Sequence, residues 1–149
     1  MMTQKYKTCA IIVTYNPSHD FESNLKEISK VADHVVVVDN NSTDKWPLST
    51  CSEIKNLTLI ENRYNLGIAT ALNSGVRKAF ELGYDWVITM DQDTFISCEA
   101  IAKMFEAYEL IEDKSDIGLL APVHYDKKTG YQSRFIRGIR GPYTPREIV

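Results

Sequence analysis

The sequence predicts an α/β protein with a mostly parallel central sheet, and two observations lead to this prediction. Five apolar runs of strand length alternate with helix-like stretches, and the runs are continuously apolar rather than alternating. Continuous runs are typical of strands buried on both faces of a parallel sheet. Helices on both faces then give a three-layer sandwich. With 149 residues and 44% hydrophobic content, residues 1–149 suit a single domain.

The individual elements follow from the period of the apolar residues. The predicted strands are residues 8–14, 34–39, 57–61, 86–91 and 117–122. The predicted helices lie within residues 18–33, 67–83 and 98–110. We expect Ser18 or Asp20 to cap the first helix and Gly83 to end the second. Residues 41–56 are predicted to form a loop with a short helix, residues 123–138 a hairpin, and residues 141–149 the start of a further strand.

Composition excludes several classes of protein. The formal charge of −3 and the lack of a long basic run argue against nucleic-acid binding. The three cysteines are far apart, which argues against a disulfide framework or a zinc site and favours the cytoplasm. No apolar run approaches the roughly 20 residues of a spanning helix, so we expect no transmembrane segment.

Polar residues follow four of the predicted strands at their carboxyl ends. In open α/β sheets ligands bind outside these ends, so the clusters are expected to meet at one edge of the sheet. Each cluster alone also suits a turn or a helix cap, and only their coincidence favours a site. The clusters are Thr14-Tyr15-Asn16, Asp39-Asn40-Asn41-Ser42, Asn62-Arg63-Tyr64-Asn65 and Asp91-Gln92-Asp93.

Asp91 and Asp93 have no Lys or Arg beside them in the sequence to offset their repulsion. Two carboxylates in an oxygen-rich edge suit Mg²⁺ or Mn²⁺, whose remaining ligands are typically phosphate oxygens and water. A diphosphate ligand is therefore expected. No P-loop or GxGxxG motif occurs, and Gly67 is the glycine that would let backbone and a helix start approach phosphate.

The segments "IIVTYN", "VVVVDNNSTD", "NLGIATALNSG" and "MDQD", in this order and spacing, resemble the family 2 glycosyltransferases of the GT-A fold, a Rossmann-like nucleotide-diphospho-sugar transferase fold. The resemblance covers the chain from about Cys9 to Asp93. It implies that Asp91 faces the ribose and the metal, and that Asp93 binds Mn²⁺ or Mg²⁺ between the two phosphates. Arg63 is a further candidate for a phosphate contact, although a solvated loop cation suits it better. The other implied donor-site residues are Thr14, Tyr15, Asn16, Asp39 and Asn41 around the base, and Asn65 and Gly67 along the ribose and diphosphate.

The resemblance also implies an activity: inverting transfer of a sugar from a dTDP- or UDP-sugar to a saccharide or lipid-linked saccharide of the cell surface. The Asp-Gln-Asp form, "RYNLGIATALNSG" and "SRFIRG" look most like bacterial rhamnosyltransferases. In the family the general base lies further along, so we expect this chain to be the N-terminal part of a longer catalytic domain. Residues 123–149 would begin the acceptor side, and the full-length protein would lie at the inner face of the membrane.

Other interpretations stay open at this point. The chain could be a non-catalytic nucleotide-sugar-binding fragment, because transfer by the donor half alone is expected to be weak or absent. A sugar nucleotidyltransferase would also use a carboxylate and metal edge, but "TYNPSHDF" lacks the glycine and lysine expected of its triphosphate loop. A chain that stops at "EIV" is also expected to expose an apolar face of the sheet and to self-associate.

Overall fold

A computed structural model describes residues 6–43, 53–115 and 117–122. The sheet within these ranges is parallel, with the spatial order β3-β2-β1-β4. Its strands are β1 (Thr8–Thr14), β2 (His34–Asp39), β3 (Leu57–Glu61) and β4 (Trp86–Asp91). The helices of the same ranges are α1 (Phe21–Val31), α2 (Ile68–Glu81) and α3 (Cys98–Glu109). The predicted α/β class is confirmed, and four of the five predicted strands have the predicted bounds.

Strand β2 shows why the apolar runs are continuous. Val35 and Val37 pack with residues of α1, whereas Val36 and Val38 pack with residues of α2. All four valines are fully buried. Because neighbouring residues of a strand point to opposite faces, a strand covered on both sides needs an apolar residue at every position. The helix, sheet and helix layers confirm the predicted sandwich.

Helix α1 begins at Phe21 without the predicted Asp20 cap. The backbone of Asp20 is helical, with φ −71° and ψ −16°, and its side chain makes no capping hydrogen bond. A capping side chain usually reaches the free amides from an extended backbone. Ser18 takes part through its backbone oxygen, which accepts a hydrogen bond from the amide of Phe21 at 3.1 Å. The prediction of a side-chain cap at Asp20 is therefore wrong.

The predicted glycine, Gly83, terminates helix α2 two residues after its last residue, Glu81. Gly83 has φ +81°, a left-handed conformation that glycine adopts without steric cost. Its amide donates to the oxygen of Phe80 at 3.0 Å, and the amide of Tyr84 donates to the oxygen of Ala79 at 3.1 Å. These bonds satisfy carbonyls that the helix end leaves free. No helix within the described ranges is both long and apolar enough to cross a membrane, and α2 itself has 14 residues.

The chain divides into two compact units, residues 1–96 and residues 97–149. The first contains the sheet with α1 and α2. The second contains α3, whose first turn is capped by the Ser97 hydroxyl oxygen, which accepts a hydrogen bond from the amide of Ala100 at 3.2 Å. Helix α3 agrees with its prediction to within one residue. That the whole chain forms one domain stays a prediction.

The fifth predicted strand, residues 117–122, is not a strand in the structure. The amide of Ile117 donates to the oxygen of Lys114 in a turn, and the segment pairs with no strand among the described residues. An apolar run becomes a strand only where a neighbour satisfies its backbone hydrogen bonds, so this prediction is wrong. The predicted hairpin at 123–138, the strand start at 141–149 and most of the segment 41–56 lie outside the described residues.

Cys9 and Cys98 are free thiols in opposite environments, because Cys9 is buried in β1 and Cys98 is exposed. Burial raises the pKa of the Cys9 thiol to about 11. Since the thiolate is the reactive form, we expect iodoacetamide at neutral pH to label Cys98 and to spare Cys9 until the protein is unfolded. Peptide mapping by mass spectrometry checks this, and equal labelling of both thiols in the native protein would contradict it.

Candidate functional site

The carboxyl ends of the four strands lie along one edge of the sheet, called here the strand-end edge. The register pairs Thr14 with Asp39 and Val13 with Asp91, so the ends of β2, β1 and β4 are neighbours. The strand order reverses between β1 and β4, because the chain runs outward from β1 to β3 before it returns to β4 on the other side. In open parallel sheets, ligands bind in the crevice at such a reversal. The segments after β1 and β4 flank that position.

Asp39 is buried at the end of β2, with 6% of its surface exposed. Its carboxylate accepts a hydrogen bond from the Thr14 hydroxyl at 3.3 Å and another from the Ser42 amide at 3.3 Å. The Ser42 hydroxyl donates to the same carboxylate. These bonds stabilise the turn after β2 and fix the direction of the carboxylate. A contact between Asp39 and a nucleobase stays a prediction.

Two asparagines at the strand-end edge have left-handed backbones, Asn16 with φ +47° and Asn41 with φ +69°. Asparagine adopts this conformation more readily than most residues. The side-chain oxygen of Asn16 accepts from the amide of Thr43 at 2.8 Å and from its hydroxyl at 3.1 Å. Asn16 therefore joins the segment after β1 to the turn after β2. Asn41 and Tyr15 are exposed at the same edge, and the predicted base contacts of all three stay predictions.

Asn40, to which the sequence pattern assigns no separate role, forms the centre of a hydrogen-bond network. It is 3% exposed. Its side-chain amide donates to the side-chain oxygen of Asn65 at 2.8 Å. Its side-chain oxygen accepts from the side-chain amide of Asn62 at 3.1 Å and from the backbone amide of Leu66 at 3.0 Å. Asn40 thus holds the loop between β3 and α2 against the end of β2.

Replacing Asn40 by Ala is expected to lower the free energy of unfolding by about 1–3 kcal/mol, because several polar groups lose their partner at once. Urea unfolding followed by circular dichroism measures this change. Asn73→Ala is the matched control, since Asn73 is exposed on α2. Equal stability of the two variants would contradict the central role of Asn40.

Gly67 is the N-cap residue immediately before α2 and has φ +76° and ψ +159°, a combination almost restricted to glycine. A Cβ atom there would meet no atom of the described residues within 4 Å, so the backbone conformation favours glycine. The amide of Gly67 donates to the side-chain oxygen of Asn65 at 3.0 Å. Gly67 itself has no side chain to cap the helix start, where the first amides have no partner within the helix. Contacts of Asn65 and Gly67 with a ribose or diphosphate stay predictions.

Asp91 and Asp93 are exposed, and neither carboxylate has an ion pair or hydrogen bond with another residue that the structure describes. No group of three or more His, Cys, Asp or Glu side chains in the described ranges is placed to hold a metal ion alone. Mg²⁺ and Mn²⁺ typically take one or two protein carboxylates and complete their shell with phosphate oxygens and water. The donor set therefore fits a divalent cation that binds together with a diphosphate. Arg63, the other candidate for a phosphate contact, is exposed in the loop after β3.

Comparison with known proteins assigns the chain to a family. The model of glycosyl transferase family 2 matches residues 9–147, which is most of the chain. This chain belongs to the family 2 glycosyltransferases. The resemblance carried by the four sequence motifs is thereby confirmed.

Curated relatives of this family 2 glycosyltransferase chain include two rhamnosyltransferases. The dTDP-rhamnosyl transferase RfbF of Shigella flexneri is 36% identical over 121 residues, which cover 79% of this chain and 38% of RfbF. The N-acetylglucosaminyl-diphospho-decaprenol L-rhamnosyltransferase of Mycobacterium tuberculosis is 30% identical over 94 residues, covering 56% of this chain and 31% of the relative. The galactofuranosyltransferase GlfT1 of Mycolicibacterium smegmatis is 26% identical over 133 residues, which cover 80% of this chain and 44% of GlfT1. The chain spans less than half the length of these relatives.

Solved structures of similar fold include TarS of S. aureus. Residues 1–349 of TarS give a TM-score of 0.57 at 22% identity, covering 69% of this chain and 32% of that one. The same TarS fragment in complex with UDP gives a TM-score of 0.56 at 23% identity. The likeness confirms the GT-A architecture of this family 2 chain.

Proposed function

We propose that this chain is the donor-binding part of a metal-dependent glycosyltransferase that uses a dTDP- or UDP-sugar and inverts the anomeric centre. One observation carries the proposal: in a family 2 chain, the carboxylates of Asp91 and Asp93 lie at the strand-end edge, where the strand order reverses, and neither is paired with another described residue. Rhamnose is the proposed sugar, because a relative with 36% identity is named a dTDP-rhamnosyl transferase.

The proposed base pocket consists of the segments after β1 and β2. The carboxylate of Asp39, held in place by Thr14 and Ser42, would accept a hydrogen bond from the ring N–H of thymine or uracil. Adenine has an unprotonated ring nitrogen at the matching place, so the same carboxylate would repel it. Tyr15, half exposed, would pack its ring against the base. The remaining proposed contacts around the base are those of Asn16 and Asn41.

The proposed sites for phosphate and metal lie on the two sides of this pocket. Asp91 and Asp93 would hold the divalent cation, and Asn65 and Gly67 would lie along the ribose and diphosphate. A bound Mn²⁺ or Mg²⁺ stabilises the negative charge that develops on the leaving nucleoside diphosphate. The exposed carboxylates carry no competing ion pair among the described residues, so they would bind the cation without first releasing a partner.

For the acceptor we propose a saccharide or lipid-linked saccharide of the cell surface. One relative is named for an N-acetylglucosaminyl-diphospho-decaprenol acceptor, which supports a lipid-linked substrate and a place for the full-length protein at the inner face of the membrane. The general base would belong to the rest of the full-length protein. Transfer by this chain alone is therefore expected to be weak or absent, although donor binding should persist.

Calorimetric titration of the chain with dTDP, UDP and ADP tests the proposal, each nucleotide being measured with Mn²⁺, with Mg²⁺ and with EDTA. We expect dTDP or UDP to bind more tightly with the cation than with EDTA, and ADP to bind weakly in all conditions. Equal affinity for all three nucleotides, or no binding of any, would contradict the proposed donor site.

A further inference from the structure

The buried face of α1 carries one polar side chain, that of Asn24. Asn24 is 2% exposed and lies between Phe21, Leu25 and Ile28, which form part of the hydrophobic core. An amide in such surroundings is costly unless its hydrogen bonds are made. Its partners therefore show what this position does in the fold.

Asn24 binds the turn that follows β4, called here the metal loop (residues 91–94). Its side-chain amide donates to the oxygen of Gln92 at 3.3 Å and to the oxygen of Thr94 at 2.8 Å. These two carbonyls flank Asp93 in the sequence. The amide of Thr94 also donates to the oxygen of Asp91 at 3.0 Å, which closes the turn. One buried side chain from α1 thus anchors the backbone on both sides of Asp93.

A second contact holds the metal loop from the side of β1. The side-chain oxygen of Gln92 accepts a hydrogen bond from the amide of Tyr15 at 3.0 Å. This bond crosses the position between β1 and β4 where the strand order reverses. It joins the metal loop to the segment proposed to bind the base.

We propose that Asn24 is a positioning residue for the metal loop. Gln92 has a matching role, because its side chain joins the metal loop to the segment after β1. This inference rests on the proposed function. The carboxylates of Asp91 and Asp93 repel each other before a cation binds, and a loose loop would let them move apart. Because Asn24 and Gln92 fix the backbone in the folded protein, little further ordering is needed when the cation and diphosphate bind.

The test compares Asn24→Leu with Asn56→Leu by calorimetric titration with dTDP, first with Mn²⁺ and then with EDTA. Leu has the same number of heavy side-chain atoms as Asn, branched at the same carbon, and its apolar groups suit the surroundings of position 24. Asn56 is a matched control, because its side-chain amide likewise donates to backbone oxygens at the other end of the sheet, those of Ser29, Ala32 and Asp33. For each variant, the ratio of the dTDP affinity with Mn²⁺ to the dTDP affinity with EDTA separates the contribution of the cation from that of the base.

We expect Asn24→Leu to lose roughly tenfold to a hundredfold of the Mn²⁺-dependent gain, as is usual when a group that orients a metal ligand is removed. Its dTDP affinity in EDTA should be unchanged, and Asn56→Leu should keep the whole gain. A purely structural role of Asn24 would lower stability without changing the ratio. Gln92→Ala gives a second measurement that does not alter the core, and it should reduce the gain in the same direction.

The outcomes separate this inference from the proposed function. A full gain in both Asn24→Leu and Gln92→Ala would overturn the positioning role while leaving the donor site intact. A wild-type chain without any Mn²⁺-dependent gain would overturn the proposed function, and the positioning role with it. A lost gain in Asn56→Leu, equal to that in Asn24→Leu, would show that general loosening explains the effect and would also overturn the inference.

Discussion

Asp93→Asn should abolish the gain in dTDP or UDP affinity that Mn²⁺ or Mg²⁺ provides. The substitution keeps the shape of the side chain but removes the charge that a hard cation requires. Loss of an orienting group already costs about 10–100-fold in metal affinity. Loss of the ligand itself should therefore cost at least about 100-fold. Titrations with the cation and with EDTA measure the difference.

Asp85→Asn is the control for Asp93→Asn. Asp85 precedes β4 and is exposed at the opposite end of the same strand, so its substitution changes the net charge equally without altering the strand-end edge. The control should keep the full metal-dependent gain. If both variants lose it, net charge and not coordination sets the affinity. If Asp93→Asn keeps it, Asp93 is not a metal ligand.

Gly75→Val should have the largest effect on folding. A Cβ atom at Gly75 would lie 2.4 Å from Cγ2 of Ile11 and 3.3 Å from Cγ2 of Val38. Both neighbours are fully buried in the central strands and are branched at Cβ, so they have little freedom to rotate away. Overpacking of this kind typically costs about 1–3 kcal/mol for a small enlargement, and Val adds three carbon atoms. We expect a loss above about 3 kcal/mol, beyond that range, with most of the protein insoluble on expression.

Asn73→Val is the matched control, because it places the same side chain on the exposed face of α2. There the substitution changes only helix propensity, which amounts to a few tenths of a kcal/mol. Gly75→Ala tests the mechanism further. Alanine gains about 1 kcal/mol in helix propensity over glycine, so a net loss of stability would show that the close approach of α2 to β1 outweighs it. A stabilised Gly75→Ala variant would contradict the close approach.

Much of the fold could be predicted from the sequence, because a strand buried on both faces of a parallel sheet needs apolar residues at successive positions. The run of valines in β2 is an example. Residues 117–122 are equally apolar but form no strand, because pairing depends on a neighbour elsewhere in the chain. The prediction of an Asp20 cap was wrong for a similar reason, since a suitable residue type does not fix the backbone angles that capping requires.

The candidate site was predictable only in part. The polar strand ends and their meeting at one edge follow from parallel topology. The bonds from Asn24 to the metal loop join residues 68 and 70 positions apart, and those from Asn40 join residues 22 to 26 positions apart. No short-range pattern in the sequence indicates either set of hydrogen bonds. One signal was available for Asn24, because it shares the helical period of Phe21, Leu25 and Ile28 and so lies on the buried face of α1.

The most direct test of a donor site at the strand-end edge is paramagnetic broadening of backbone amide resonances in isotope-labelled protein. Mn²⁺ would be added together with dTDP, and the spectra compared with those of a sample containing Mg²⁺ and dTDP. A donor site at this edge predicts strong broadening of the amides of residues 91–94 and 65–67, little broadening at His34 or Trp86 at the other end of the sheet, and no effect without dTDP. Broadening centred elsewhere, or none at all, would contradict a metal-dependent nucleotide site at this edge.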